Sequence, residues 1–170
     1  MPTQLFHGSM YAQNELMPGF KRSGKKVEWD GVESNEYLYA TTDRETAISQ
    51  GFASALEKLF PMERFRTEGD DIEIYVKGAP PSNDQLKKIT VHLYTLKALP
   101  HDLWRKNNNK VNGLDTEWVT QNTICDGIVK RESINMADWL NGRSITFYKH
   151  TETNAQSNIV HHTPLTRFFS

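Results

Sequence analysis

The chain has a single cysteine, Cys125, in 170 residues. No internal disulfide can form, and the fold must be held by its own core. That usage suits a reducing compartment, and a cytoplasmic protein is expected. No stretch approaches the roughly 20 apolar residues a membrane span needs. The opening MPTQLFHGSM has neither a basic n-region nor an apolar h-region. No membrane partner is expected. Net charge is nearly absent as well: 20 Lys and Arg stand against 21 Asp and Glu, which argues against a protein built wholly around polyanion binding. There is no internal repeat and no low-complexity segment. No G-x-G-x-x-G follows a strand, and no βαβ alternation is present, so a Rossmann domain is not expected. His161-His162 lacks a Cys, Asp or Glu at ligand spacing, and no metal is expected. A length of 170 residues is that of one compact domain. Such a domain buries roughly 70% of the surface its unfolded chain exposes, so no staple is required. A single-domain monomer spanning 1–170 is expected, with the polar tail 151–170 docking on it through its final aromatics.

What is present is mostly short strands. Residues 4 to 7 read as a strand that Gly8-Ser9 ends. Residues 17 to 35 read as loop, with Pro18, Gly19, Gly24 and Gly31 and a basic run over 21–26. Residues 36 to 41 read as a strand with Tyr37, Tyr39 and Thr41 on one face and Leu38 and Ala40 on the other. The clearest helix follows. Thr42 and Glu45 have capping-box spacing, Ala47, Ile48, Phe52, Ala55, Leu56, Leu59 and Phe60 have helical periodicity, and Pro61 ends it. Residues 71–77 and 89–97 alternate as strands. The stretch 79–88 reads as a connection, and Pro100 is placed to open a short helix. Residues 106–113 read as a polar loop, and 117–120, 124–130 and 145–149 as strands, with a helical turn or two at 136–140. Many short strands with one prominent early helix describe an α+β fold.

Three places could carry chemistry. In Phe6-His7-Gly8-Ser9, a histidine at a strand end can present an imidazole to a ribose hydroxyl. The glycine would let a ligand approach the backbone. In Tyr37-Leu38-Tyr39-Ala40-Thr41-Thr42-Asp43, two tyrosines on one strand face make an aromatic surface able to stack on a planar, even cationic, heterocycle. In Asp115-Thr116-Glu117-Trp118-Val119, a glutamate opens a strand. A carboxylate there can hold a ribose hydroxyl and stabilise an oxocarbenium-like centre. The basic run 21–26 lies between the first two, where a loop could reach a pyrophosphate or a nucleic-acid acceptor. Cys125 reads as a buried or semi-buried thiol rather than a nucleophile.

Taken in order, the three motifs resemble the His-Tyr-Glu branch of the ADP-ribosyltransferase superfamily. That branch holds the diphtheria-toxin-like enzymes, the poly-ADP-ribose polymerases and the rifampicin-modifying transferases. The resemblance covers about residues 4 to 130 as a pattern and matches at residue level only in the three motifs. It implies a split β-sheet sandwich with few helices. It further implies a mono-ADP-ribosyltransferase that cleaves NAD⁺, its substrate, at the nicotinamide–ribose bond. ADP-ribose would pass to an unidentified protein, nucleic-acid or small-molecule acceptor. By the same resemblance His7, Tyr37 and Glu117 are the catalytic set. His7 would bind the adenosine-side ribose, and Gly8 and Ser9 the nicotinamide amide. Tyr37 or Tyr39, with Tyr37 the better match, would stack on the nicotinamide. Glu117 would hold the nicotinamide ribose and stabilise the oxocarbenium-like state. Arginine-directed members of the superfamily carry Glu or Gln two residues before that glutamate. Asp115 stands there in this chain, so the acceptor cannot be carried over. Two other readings keep the same fold: an NAD⁺ glycohydrolase, with water as acceptor, and a catalytically silent domain that binds a nucleotide, nucleic acid or protein.

Overall fold

The computed structural model describes residues 1–29, 33–60, 62–68, 70–108, 116–149 and 161–169. The chain is α+β and mostly antiparallel. In chain order its elements are β1 (Gln4–Ser9), α1 (Gly19–Ser23), β2 (Glu28–Trp29), β3 (Glu33–Ser34), β4 (Leu38–Thr41), α2 (Arg44–Leu59), β5 (Met62–Glu68) and β6 (Asp71–Val76). They continue with α3 (Asn83–Lys87), β7 (Thr90–Lys97), β8 (Arg105–Lys106), β9 (Glu117–Thr120), β10 (Ile128–Asn135), α4 (Met136–Trp139), β11 (Ser144–Lys149) and β12 (His161–Phe169). A 3₁₀ turn at Pro100–Asp102 stands where a short helix was expected. Among the described residues no helix is long and apolar enough to cross a membrane.

The chain divides into two compact units, one of residues 1–51 and 92–132, the other of 52–91 and 133–170. The first holds most of a six-stranded sheet in the order β10-β7-β1-β4-β9-β8. Strand β1 runs antiparallel to β7 over its whole length, from Gln4↔Lys97 to Ser9↔His92. Gly8 and Ser9 therefore continue the strand instead of ending it. Leu5, Leu16, Leu38, Ala40, Tyr94, Leu96, Trp104 and Ile124 form this unit's buried cluster. Their positions follow from the period of two: Leu38 and Ala40 lie inward on β4, and Tyr94 and Leu96 on β7. Ile124, expected inside a strand, makes only an isolated bridge to Leu16, and β10 begins at Ile128.

The second unit is built on a four-stranded sheet, β12-β11-β6-β5, in which β6 and β11 are parallel and the outer pairs antiparallel. Ile72, Ile74, Val76, Ile145 and Phe147 are buried in it. Phe52 stacks on Trp139 with ring centroids 4.7 Å apart. The tail strand β12 pairs antiparallel with β11, Ile145 opposite Phe168.

Two helix starts differ from expectation for clear reasons. At α2 the cap is Asp43, not Thr42. The Asp43 carboxylate accepts from the Thr46 backbone N–H at 2.8 Å, while the Thr42 N–H is spent on the Thr116 carbonyl at 3.0 Å. The stretch 79–88, expected to be a connection, contains α3. Ser82 accepts from the Gln85 backbone and Gln85 returns the bond to the Ser82 N–H, a full capping box. The loop expected over 17–35 contains α1 and the β2–β3 ladder. Pro61, Gly31 and the loop positions 109–115 lie outside the described residues.

Candidate active site

All the residues singled out in the three motifs, Asp115 excepted because it is not described, fall in the first unit, on the adjacent strands β1, β4 and β9 and the residues that flank them. Register fixes which side chains share a face. Thr41 stands directly opposite Glu117, and Phe6 directly opposite Thr41. Directly opposed residues project to the same side. Tyr39, two residues from Thr41, joins them by alternation, and so does the missing side chain of Gly8. By the same alternation His7 and Ser9 belong to the other side, with Tyr94, which stands opposite His7 on β7.

The ladder between β1 and β4 is a single pair, Phe6↔Thr41. One residue further along β1, a side chain takes over from the backbone: His7 Nδ1 lies 2.7 Å from the Tyr39 carbonyl oxygen. A carbonyl can only accept, so Nδ1 carries the proton and donates. Nε2 is then left as an acceptor. His7 is half-buried, and its ring centroid lies 6.2 Å from that of Tyr94. Burial holds the His7 imidazole below its ordinary pKa of 6.5; the bond to Tyr39 opposes this and the nearby Arg22 charge adds to it. The ring is therefore neutral near pH 7, able to accept a hydrogen bond from a sugar hydroxyl at Nε2.

Gly8 is a glycine for a reason the sequence did not suggest. A Cβ there would overlap the Ala47 carbonyl oxygen and lie 2.9 Å from the Ala47 carbonyl carbon and 3.2 Å from the Gly51 nitrogen. Gly51 answers it, since a Cβ on Gly51 would lie 3.3 Å from the Ser9 nitrogen. The pair lets α2 pack directly on the β1 backbone. Ser9 is buried, and its Oγ accepts from the Tyr11 backbone N–H and from Gln13 Nε2, each at 3.1 Å. It anchors the segment that leaves β1.

Glu117 is only 8% exposed, which is rare for a carboxylate. Its Oε1 accepts from Asn107 Nδ2 at 2.7 Å, and the Asn107 backbone N–H donates to the Glu117 carbonyl at 2.9 Å. Asn107 thus grips Glu117 at both ends of the residue. Beside it Thr41, fully buried, donates from Oγ1 to Thr116 Oγ1 at 3.0 Å. Tyr37 and Tyr39 are half-buried and meet edge to face, with centroids 6.4 Å apart. The Arg105 guanidinium carbon lies 4.9 Å from the Tyr37 ring centroid. Arg105 stands opposite Val119 on β9, hence on the Glu117 side.

Sequence reasoning missed Asn107 and Arg105. Both lie at or beside the two-residue strand β8, whose Lys106, with Asn107, falls in the stretch 106–113 read as a polar loop. The available signal was Asn107 within reach of a strand-opening glutamate, legible only once β8 pairs with β9. His7 and Glu117 do not touch. β4 stands between their strands, and their side chains project to opposite sides of the sheet. Cys125 is exposed, against the buried or semi-buried position expected, and its thiol donates to Glu15 Oε2 at 3.1 Å, which raises its proton affinity. The raised affinity disfavours the nucleophilic thiolate. No family model, curated protein or solved structure matches this chain.

Proposed function

We propose that the chain is an NAD⁺-dependent mono-ADP-ribosyltransferase with an ADP-ribosyltransferase-like fold, whose site is His7, Tyr39 with Tyr37, and Glu117. The observation that carries the reading is the pairing of a neutral half-buried imidazole with a buried carboxylate two strands away. The two side chains project to opposite sides of the sheet, so a single dinucleotide would reach both only by passing where the β1–β4 ladder stops after one pair. In this reading Nε2 of His7 accepts from a hydroxyl of the adenosine ribose. Glu117, its rotamer fixed by Asn107, accepts from a hydroxyl of the nicotinamide ribose. As the bond to nicotinamide breaks, positive charge grows on the ribose carbon and ring oxygen. A carboxylate already positioned and shielded from water stabilises that charge without reorganising. The departing electron pair stays with nicotinamide, which leaves neutral; the acceptor's nucleophile closes on the ribose carbon and its proton passes to water. Arg105 already lies over one face of Tyr37, which gives the stacking on the cationic nicotinamide to Tyr39.

The test is incubation of the full chain with NAD⁺ labelled in its adenine half and a cell extract. Nicotinamide release and label on an acceptor are expected. Glu117→Gln, which keeps shape and an acceptor oxygen for Asn107, should lower the rate about 10²- to 10³-fold without changing the melting temperature appreciably. Free ADP-ribose with no labelled acceptor would assign water as the acceptor. A folded wild-type chain that releases no nicotinamide would sink the reading.

A further inference from the structure

The segment that leaves β1 is pinned by its backbone. The Tyr11 N–H donates to Ser9 Oγ at 3.1 Å, the Tyr11 carbonyl accepts from the Tyr94 hydroxyl at 3.0 Å, and the Gln13 N–H donates to that same hydroxyl at 2.7 Å. The Tyr11 side chain is left outside, 47% exposed, and the Arg22 guanidinium carbon sits 5.5 Å from its ring centroid. Arg22 belongs to α1, a single turn closed by Gly24 in the left-handed conformation at φ +70°. Lys21, Lys25 and Lys26 flank it in the sequence, all exposed. Among the described residues only Lys26 of these four cations meets a carboxylate, Glu36 at 2.7 Å. Lys21 reaches only the Thr123 hydroxyl at 3.5 Å. Tyr11 and Tyr94 link this cationic turn to His7, and the Arg22 charge is felt at the imidazole.

We propose that Arg22, held against the Tyr11 ring, forms with Lys21 and Lys25 a phosphate-binding lip beside His7. This rests on the dinucleotide reading of the site. A guanidinium is planar and offers paired N–H donors that match phosphate oxygens. Stacking on an aromatic ring sets the plane of that fork before a ligand arrives. His7 is neutral, so it brings the sugar in without competing for the phosphate. Two phosphates of a nicotinamide dinucleotide could meet the lip: the pyrophosphate, or an extra phosphate on the adenosine ribose.

Titration calorimetry of the full chain distinguishes them. Arg22 is exposed and makes no hydrogen bond among the described residues, so Arg22→Gln should fold as the wild type does, checked by melting temperature. The variant should bind NAD⁺ roughly ten- to a hundredfold more weakly, the effect of one charge-assisted contact. Arg22→Lys should recover part of the loss. The wild type should lose NAD⁺ affinity with added salt more steeply than Arg22→Gln. Equal losses for NAD⁺ and NADP⁺ assign the pyrophosphate; a larger loss for NADP⁺ assigns the ribose phosphate. NAD⁺ and NADP⁺ affinities unchanged in Arg22→Gln would overturn the lip and leave the NAD⁺ reading standing. A wild-type chain that binds neither dinucleotide would overturn both.

Discussion

Replacing Gly8 with alanine should unfold the first unit more readily than any surface change, and its size can be worked from the contact. The added Cβ would overlap the Ala47 carbonyl oxygen and reach 2.9 Å from the carbonyl carbon behind it. Both are helix backbone, so no side chain can rotate away. Either α2 lifts off β1 by about an ångström, or β1 bends out of its ladder with β7. Forcing a methyl into packed structure costs about 1–3 kcal/mol where neighbours can adjust. Rigid backbone on both sides puts Gly8→Ala at about 3 kcal/mol or above. For a chain of this length that is a fall in melting temperature of roughly 6–12 °C. Gly78→Ala is the control, because a Cβ there meets nothing within 4 Å. It should change stability by less than about 1 kcal/mol. Thermal and urea unfolding of the two variants beside the wild type would show the contrast. A Gly8→Ala melting temperature within a degree of the wild type would refute the close approach of α2. The experiment also separates two meanings of the His-Gly-Ser run: if activity falls only as far as folding falls, the glycine serves the helix contact and not the ligand.

Two further outcomes are expected. The lowered His7 pKa means that below 6.5 the unfolded chain takes up a proton the folded chain resists. Stability therefore falls as pH drops through 6.5 and is unaffected above it. His7→Gln should shrink the loss of melting temperature between pH 7.5 and pH 5.5, and an unchanged loss would show that His7 is not held neutral by the fold. In nicotinamide-release assays Tyr39→Leu should raise KM more than Tyr37→Leu, because Arg105 already covers one Tyr37 face; the opposite order would return the stacking to Tyr37.

Much of the architecture was legible because it is written in local periods. The alternation in 36–41 and 71–77 and the helical spacing from Ala47 to Phe60 placed β4, β6 and α2 within a few residues. What escaped depended on partners far away in sequence. Met62–Glu68 carries four charged residues, yet it pairs with β6 along its length. Arg105–Lys106 is too short to show a period at all and becomes a strand only against β9. The capping box of Ser82 and Gln85 was available to reading and was masked by the neighbouring prolines of the Ala79-Pro80-Pro81 run. At the site, the types of His7 and Glu117 were legible and their surroundings were not. The Asn107 contact and the bond from His7 to Tyr39 join residues 10 and 32 positions apart.

Those surroundings bear on which motif residues stability alone explains. Gly8 is accounted for by the approach of α2, and Ser9 by the two bonds that fasten the Tyr11–Gln13 segment. Leu38 and Ala40 are core. His7 and Glu117 differ. A β1 residue facing Tyr94 with Leu5 as its neighbour would stabilise the sheet more as valine or leucine, since burying an imidazole costs desolvation that its one bond to Tyr39 only partly offsets. Glu117 is likewise a carboxylate withdrawn from water on a strand, with Asn107 Nδ2 donating to its Oε1. A sequence shaped only for folding has no reason to hold either group in place. Polar groups kept buried against their own solvation, with their rotamers fixed by neighbours, are what a preorganised site requires. The two flank the same strand on opposite sides of the sheet, so the chemistry proposed for them requires a ligand that passes where the β1–β4 ladder has stopped after one pair.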